Sequence, residues 1–205
     1  MKSFLFSELS QATKYRFLVN FVTPRPIAVV STINNQGQGN LAPFSFFNAV
    51  ASNPPTVMFS IGWDENGNKK DTLNNIEQVG EFVVNFASAA IINKVVECAA
   101  KYPYGTDEMV AVGLTPNPST IVKPRRISES PLQLECKVTK LIEIGDRNTV
   151  GATVVVFGEV LMAHIIEEAM LADKINPKAL DLVGRLGGIS YTKLGEILNI
   201  PIPQL

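Results

Sequence analysis

Thr23-Pro-Arg-Pro-Ile-Ala-Val-Val-Ser-Thr32, Asn40-Leu-Ala-Pro-Phe-Ser-Phe-Phe-Asn48, Asn53-Pro-Pro55 and Lys69-Lys-Asp-Thr72 follow one another in a short span, and their order decides the fold. Pro24 and Pro26 keep the chain extended as it runs into Ile27-Ala28-Val29-Val30, a β-branched run of the buried-strand type. Asn34-Asn35-Gln36-Gly37-Gln38-Gly39 is turn-forming, which makes the next segment the return arm of a hairpin. That arm, Asn40 to Val50, is aromatic and irregular. Pro43 within it cannot donate a ladder hydrogen bond, so the arm belongs at a sheet edge or a bulge, where main-chain groups can face a ligand. Asn53-Pro54-Pro55 ends it. Thr56 to Ile61 reads as a third strand, Gly62 to Lys70 as a polar loop, and Asp71 to Val79 as a helix.

Outward from this stretch, a short helix is expected over about Ser10 to Val19. Glu81 to Ala87 reads as a fourth strand, and Ser88 as the N-cap of a helix running to about Lys101. Tyr102 to Ser119, with Pro103, Gly105, Gly113 and Pro116, suits a lid or an interface arm. Leu132 to Ile144 and Val150 to His164 read as long strands joined by a Gly145-Asp146-Arg147-Asn148 hairpin. Closely spaced strands with few helices predict a mainly β fold, an antiparallel barrel with peripheral helices; a doubly wound sheet is the alternative. No repeat or low-complexity run interrupts the chain, and residues 1–205 are expected to form one domain with decorations.

Composition narrows the function. Eighteen basic residues against nineteen acidic ones leave no field to steer the chain toward nucleic acid or anionic lipid. Cys98 and Cys136 sit in apolar settings without CxxC spacing, as reduced buried thiols do. No apolar run reaches the roughly 18 residues of a membrane span, and Met1-Lys2-Ser3-Phe4 opens no signal peptide, so a cytoplasmic protein is expected.

Several residues could carry chemistry. A helix starting near Asp71 offers free backbone N–H groups and a positive dipole end, and Lys69 and Lys70 add charge, so a phosphate would be stabilised there. Solvated lysines and a plain Asp71 N-cap would account for the same residues. Gly37-Gln38-Gly39-Asn40-Leu41-Ala42 matches a dinucleotide fingerprint in form, but Pro43 and the aromatic strand forbid the helix it requires. Phe44, Phe46 and Phe47 alternate with Ser45 and Asn48: core packing explains them, and so would a flat apolar wall for a ring system. His164 is the sole histidine, which removes multi-histidine zinc sites, and no metal site is expected. Arg185, between Gly184 and the Gly187-Gly188 pair, could clamp a phosphate or carboxamide or pair with a surface carboxylate. Tyr191 could stack on a ring or fill the core.

The phrases Thr23 to Pro26, Asn40 to Asn48, Lys70 to Thr72, Glu81 to Asn85, Ser130 to Cys136, Gly158 to His164, and Arg185 to Gly188 with Tyr191 together resemble the flavin reductase-like family, over nearly the full length. Flavoredoxins and the reductase components of two-component monooxygenases such as nitrilotriacetate monooxygenase are the nearest likeness. The resemblance implies an FMN-binding split β-barrel, antiparallel and of Greek-key type, working as a homodimer with FMN, rather than FAD, near the subunit interface. It implies that Asn40, Ala42, Pro43, Phe44 and Ser45 line the isoalloxazine and ribityl chain, with Thr32 a lesser contact, and that Lys70, Asp71 and Thr72 receive the phosphate. His164, Arg185 and Tyr191 would border the approach of nicotinamide or an electron partner. The activity implied is hydride transfer from NAD(P)H to flavin, with electrons passing to free flavin, oxygen, or a monooxygenase or ferredoxin-like partner. A flavoredoxin-type carrier that does not oxidise NAD(P)H, and a flavin-binding module without turnover, are the alternatives.

Overall fold

A computed structural model describes residues 1–64, 66–103 and 105–203. Glu65 of the polar loop, Tyr104 of the expected lid or arm, and Gln204 and Leu205 of the tail lie outside the described residues.

Seven strands share one sheet: β1 (Ala28–Ile33), β2 (Gly39–Phe44), β3 (Phe47–Ser52), β4 (Pro55–Gly62), β5 (Glu81–Phe86) and, beyond the short mutually paired β6 (Pro116–Asn117) and β7 (Arg126–Ile127), β8 (Leu132–Ile144) and β9 (Thr153–Ile165). Their spatial order is β2-β1-β5-β8-β9-β4-β3, with every pair antiparallel. The outermost strands, β2 and β3, are neighbours in sequence, separated by Ser45 and Phe46 alone. Laid flat, the two edges would stand about 29 Å apart at the usual strand spacing. The chain from Phe44 to Phe47 reaches at most about 11 Å. The sheet must therefore roll until its edges meet, and the fold is a barrel.

Among the described residues no ladder joins β2 to β3, so the barrel is split along this seam. Phe46 crosses it, its carbonyl accepting from the Ser60 N–H at 2.9 Å. The segment expected as one irregular strand, Asn40 to Val50, is thus two strands broken where the chain passes from one sheet edge to the other.

Alternation along the strands sorts side chains into two cores. Ala28 and Val30 point into the barrel with Phe59, Phe82, Val84 and Val156, and Leu73 and Ile76 of helix α2, defined below, pack against them. Ile27 and Val29 point outward and are covered by Val95, Met109 and Ile127. Burial on both faces is why β1 reads as a continuous apolar run.

The helices are peripheral. α1 (Gln11–Phe21) starts where the Ser10 hydroxyl accepts from the Thr13 N–H. α2 (Asp71–Val79) buries Leu73 and Ile76 and stops at Gly80, whose φ of 72° is a left-handed conformation costly for other residues. α3 (Ile92–Glu97) is shorter than expected, because Ser88 does not cap it. Instead the chain stays extended after β5: Val183 N–H donates to Ala87 and Ala89 N–H to Asp181, bridging Ser88 to Leu182. α4 (Glu108–Ala111) lies in the segment expected to be a lid or arm. That segment is packed down on β2 instead, with Met109 and Leu114 buried and Glu108 Oε2 accepting from the Leu41 N–H at 2.7 Å. Small ladders β10 (Met170–Leu171) with β11 (Lys174–Ile175), and β12 (Val183–Arg185) with β13 (Tyr191–Lys193), flank α5 (Pro177–Leu180).

Cys98 and Cys136 are free and buried, and burial pushes both thiols up to about 12. Among the described residues no helix is long and apolar enough to cross a membrane.

Candidate functional site

Pro43, Phe44 and Ser45, at the end of β2 and the start of the seam, form a wall shared by two adjoining cavities of about 840 and 450 Å³. Together the cavities make a trough with Tyr15 of α1 at the same waist. β2 is an edge strand paired on one side by β1; Glu108 takes the Leu41 N–H on its other edge, and the end of the strand, Pro43 and Phe44, borders the trough. Pro43 has no N–H to leave unpaired there. The Phe44 ring is held from beneath by Phe59 at 5.0 Å between centroids, and Phe59 by Phe82 at 5.3 Å, so the floor is fixed by the barrel core.

The larger cavity runs toward α2. Lys70, Ser60 and Trp63 line it, with Arg147, Asn148 and Thr149 from the β8–β9 hairpin opposite. Lys70 is the N-cap of α2 in extended conformation, and its side chain makes no cap hydrogen bond. Asp71, considered above as a cap, lies in the first turn, where burial pushes its carboxyl above the usual range. Leu73 N–H already donates to the Lys70 carbonyl, so the Asp71 and Thr72 amides, which have no described partner, and the positive dipole end are what the helix offers an anion. Lys69 turns away and pairs with Glu77 at 2.6 Å, leaving Lys70 as the lysine on the trough.

Behind this end lies a buried network. Asn40 Nδ2 donates to Thr72 Oγ1 at 3.0 Å and to Thr32 Oγ1 at 3.3 Å, and Asn75 Nδ2 donates to Thr32 Oγ1 at 3.1 Å. It joins β1, β2 and the first turns of α2. Thr32, Asn40 and Thr72 are all buried and brace the wall from within, whereas half-buried Ala42 adjoins it.

The smaller cavity runs toward β12 and β13. Arg185 lies over the Tyr191 ring at 4.3 Å and donates to the Tyr191 hydroxyl and the Gly188 carbonyl. Arg25 reaches the same cavity, its guanidinium fastened to the carbonyls of Val22 at 2.8 Å and Leu186 at 3.1 Å and to Ser45 Oγ at 3.5 Å. One side chain thus ties α1, the β12–β13 loop and the seam together.

His164, expected beside Arg185 and Tyr191, is not brought there in the chain: it lines neither cavity, and its Nε2 lies 2.7 Å from Glu135 Oε1. Glu135 is fully buried and accepts from the N–H groups of Thr120, Ile121 and Val122 at 2.8, 2.6 and 3.0 Å. Burial opposes its ionisation, but these donors and His164 outweigh it and hold the carboxyl down to about 2. His164→Ala should lower stability by about 1.5 to 3 kcal/mol, the scale of one hydrogen bond to a charged group. Urea unfolding would measure this, and weaker binding of a ligand at Pro43 to Ser45 would contradict the placement.

The sequence reading did not single out Arg25, Tyr15 or Arg147. An arginine between two prolines leading into a buried strand was a usable signal for Arg25. Tyr15 and Arg147 reach the trough through tertiary packing alone.

Comparison with known proteins follows the same lines. The flavin reductase like domain matches residues 21–177. An uncharacterized protein, YwrF, of Bacillus subtilis is 36% identical over 206 residues, covering 100% of both chains. The crystal structure of nitrilotriacetate monooxygenase component B from Bacillus cereus superimposes with a TM-score of 0.92 at 31% identity, covering 98% of each chain. That of 2-nitrobenzoate 2-nitroreductase NbaA from Pseudomonas fluorescens gives 0.81 at 30% identity, covering 98% of this chain and 96% of the other.

Proposed function

Because the chain belongs to the flavin reductase-like domain family, we propose that residues 1–205 act as one FMN-binding oxidoreductase domain that oxidises NAD(P)H and delivers electrons to free flavin, oxygen or a partner monooxygenase. The observation that carries this is the trough: a flat wall at Pro43 to Ser45 ending at a helix N-terminus whose N-cap, Lys70, makes no side-chain cap hydrogen bond. When bound, FMN supplies a ring that accepts hydride at N5.

The donor set fits that group. Lys70 and the first amides of α2 hold the phosphate, and a single such end favours FMN over FAD. Ala42, Pro43, Phe44 and Ser45 support the ring system, while Thr32, Asn40 and Thr72 brace the wall and keep α2 in register with it. Asp71 stands in the first turn of α2 beside the phosphate, its carboxyl raised above the usual range by burial. Arg185 and Tyr191 border the open side, where nicotinamide approaches. The likeness to a monooxygenase component supports a monooxygenase partner, and we infer a homodimer in the cytoplasm.

That His164 is held by Glu135 and lines neither cavity favours a second reading, an electron-transfer flavoprotein that does not oxidise NAD(P)H itself. Mixing the purified chain with FMN and NADH or NADPH under anaerobic conditions separates the two. Bleaching of flavin absorbance supports the first; reduction by dithionite but by neither nicotinamide supports the second.

Lys70→Ala is expected to weaken FMN binding by about 1 to 3 kcal/mol, the scale of one charge-assisted hydrogen bond. Fluorescence titration checks it, and an unchanged affinity would remove Lys70 from the phosphate site.

A further inference from the structure

Helix α1 lies along the trough with a glycine under each end. A Cβ at Gly151 would collide with Gln11 Nε2 and lie 3.3 Å from Gln11 Cδ, and one at Gly187 would collide with Asn20 Oδ1 and lie 2.5 Å from Asn20 Cγ. Gly151 lines the larger cavity, and Gly187 stands between Leu186 and Gly188, which line the smaller. Gln11 and Asn20 are separated by about 14 Å of helix at 1.5 Å per residue. α1 therefore spans from the rim of one cavity to the rim of the other.

One stripe of the helix faces the trough. Gln11, Tyr15 and Val19 recur at intervals of four and share a face. Gln11 meets Gly151, Val19 is buried and lines the smaller cavity, and Tyr15, between them, lines both. Phe17 and Phe21 lie off this stripe, packed on each other, and Phe4 and Phe6 also meet Phe17. Arg25 sets the spacing between stripe and wall: its guanidinium donates to the carbonyls of Val19 and Val22 at the end of α1, and its Nε to Ser45 Oγ at 3.5 Å. Among the described residues, the two cavities share Pro43, Phe44, Ser45 and Tyr15. Three of these form the wall, and the fourth is an aromatic ring supplied by the helix.

We propose that Tyr15 covers the ring of the bound flavin at the waist of the trough, closing it against Pro43 to Ser45, and that α1 thereby sets how fast FMN leaves. The inference rests on the flavin reading above. Tyr15 is 61% exposed, an aromatic side chain standing at a cavity mouth and largely in solvent, and a flat ring laid on the wall would take part of that area out of water. Two rings in offset contact attract beyond the area they bury. Among the described residues nothing hydrogen-bonds the Tyr15 hydroxyl, so the ring and not the hydroxyl is the working part. The end at Arg185 and Tyr191 stays open to nicotinamide, because the cover closes the waist alone.

The test is the rate of FMN release, followed by flavin fluorescence after dilution of the loaded chain, for wild type, Tyr15→Phe and Tyr15→Ala. Tyr15→Ala should release FMN about tenfold faster, and Tyr15→Phe should stay within about twofold of wild type. The melting temperature of the FMN-free chain should be the same for all three, since Tyr15 is exposed there. Riboflavin, which keeps the ring and lacks the phosphate, should lose about the same factor in affinity on Tyr15→Ala, whereas Lys70→Ala should leave riboflavin within about twofold. Release from Tyr15→Ala at the wild-type rate would overturn the proposal. So would release from Tyr15→Phe as fast as from Tyr15→Ala, riboflavin affinity indifferent to residue 15, or a lowered melting temperature of the FMN-free Tyr15→Ala chain, which would make Tyr15 a packing residue of α1. Failure of wild type to take up either flavin would undo the flavin reading and this proposal with it, whereas uptake that Tyr15→Ala leaves unaltered undoes this proposal alone.

Discussion

Glu135→Ala is expected to lower the unfolding free energy by roughly 3 to 5 kcal/mol, the scale of removing one partner from a buried charged network. The carboxylate is fully buried and collects three main-chain N–H groups and His164, with Arg126 Nε at 3.9 Å. Alanine leaves those amides without their acceptor, and each orphaned buried donor costs on the order of 1 to 3 kcal/mol. Glu135→Gln keeps the shape and one acceptor oxygen, so its loss should be smaller. The effect has a pH signature. The folded carboxyl, at about 2, lies below its ordinary value of 4.5, so ionised Glu135 contributes stability that is complete above about pH 4.5. That contribution, at most roughly 3 kcal/mol, is lost as pH falls toward 2. The stability gap between wild type and Glu135→Gln should therefore narrow between pH 5 and pH 2 by about that amount. Urea unfolding at several pH values checks it, and a gap independent of pH would contradict the assignment.

Gly158→Val should be the second large effect, and it should reach the site. Gly158 lies in β9 opposite Val57 and Val138. A Cβ there would collide with Phe82 Cζ and lie 2.5 Å from Phe82 Cε1, with Cys136 Cβ at 3.4 Å. Phe82 is fully buried, so its ring cannot swing into solvent. Overpacking of this kind costs typically about 1 to 3 kcal/mol, and valine adds two further methyl groups to the clash. Phe82 packs on Phe59 and Phe59 on Phe44, so the strain is delivered to the floor of the trough. Gly158→Ala is the milder probe: it should weaken FMN binding although residue 158 does not line the trough. Thermal unfolding and flavin titration of both variants check this, and a destabilised Gly158→Ala protein with unaltered FMN affinity would show the ring stack to be uncoupled from the site.

Local chemistry was readable from the residues, whereas long-range geometry was not. The β1 run, the Gly37 hairpin, the edge placement of β2 and the limits of α2 follow from proline, glycine and β-branched preferences that act over a few residues. Ser88 has the right letter for an N-cap, but it is taken into a bridge with Leu182, a partner far along the chain. Asn40 to Val50 reads as one strand because nothing within it announces that its two halves belong to opposite edges of a rolled sheet. The site divides in the same way. Lys70 and Pro43 to Ser45 were visible as a helix start and an interrupted aromatic strand. The brace through Thr32, Asn40 and Thr72, the convergence of Arg25 with Arg185, and the capture of His164 by Glu135 depend on which strands become neighbours.

Flavin binding in the trough is the claim on which the rest depends, and titration of the purified chain with FMN tests it most directly. The account predicts saturable uptake, with a perturbed visible spectrum and altered flavin fluorescence, and an affinity reduced by Lys70→Ala. A protein that takes up neither FMN nor FAD at any accessible concentration would contradict it.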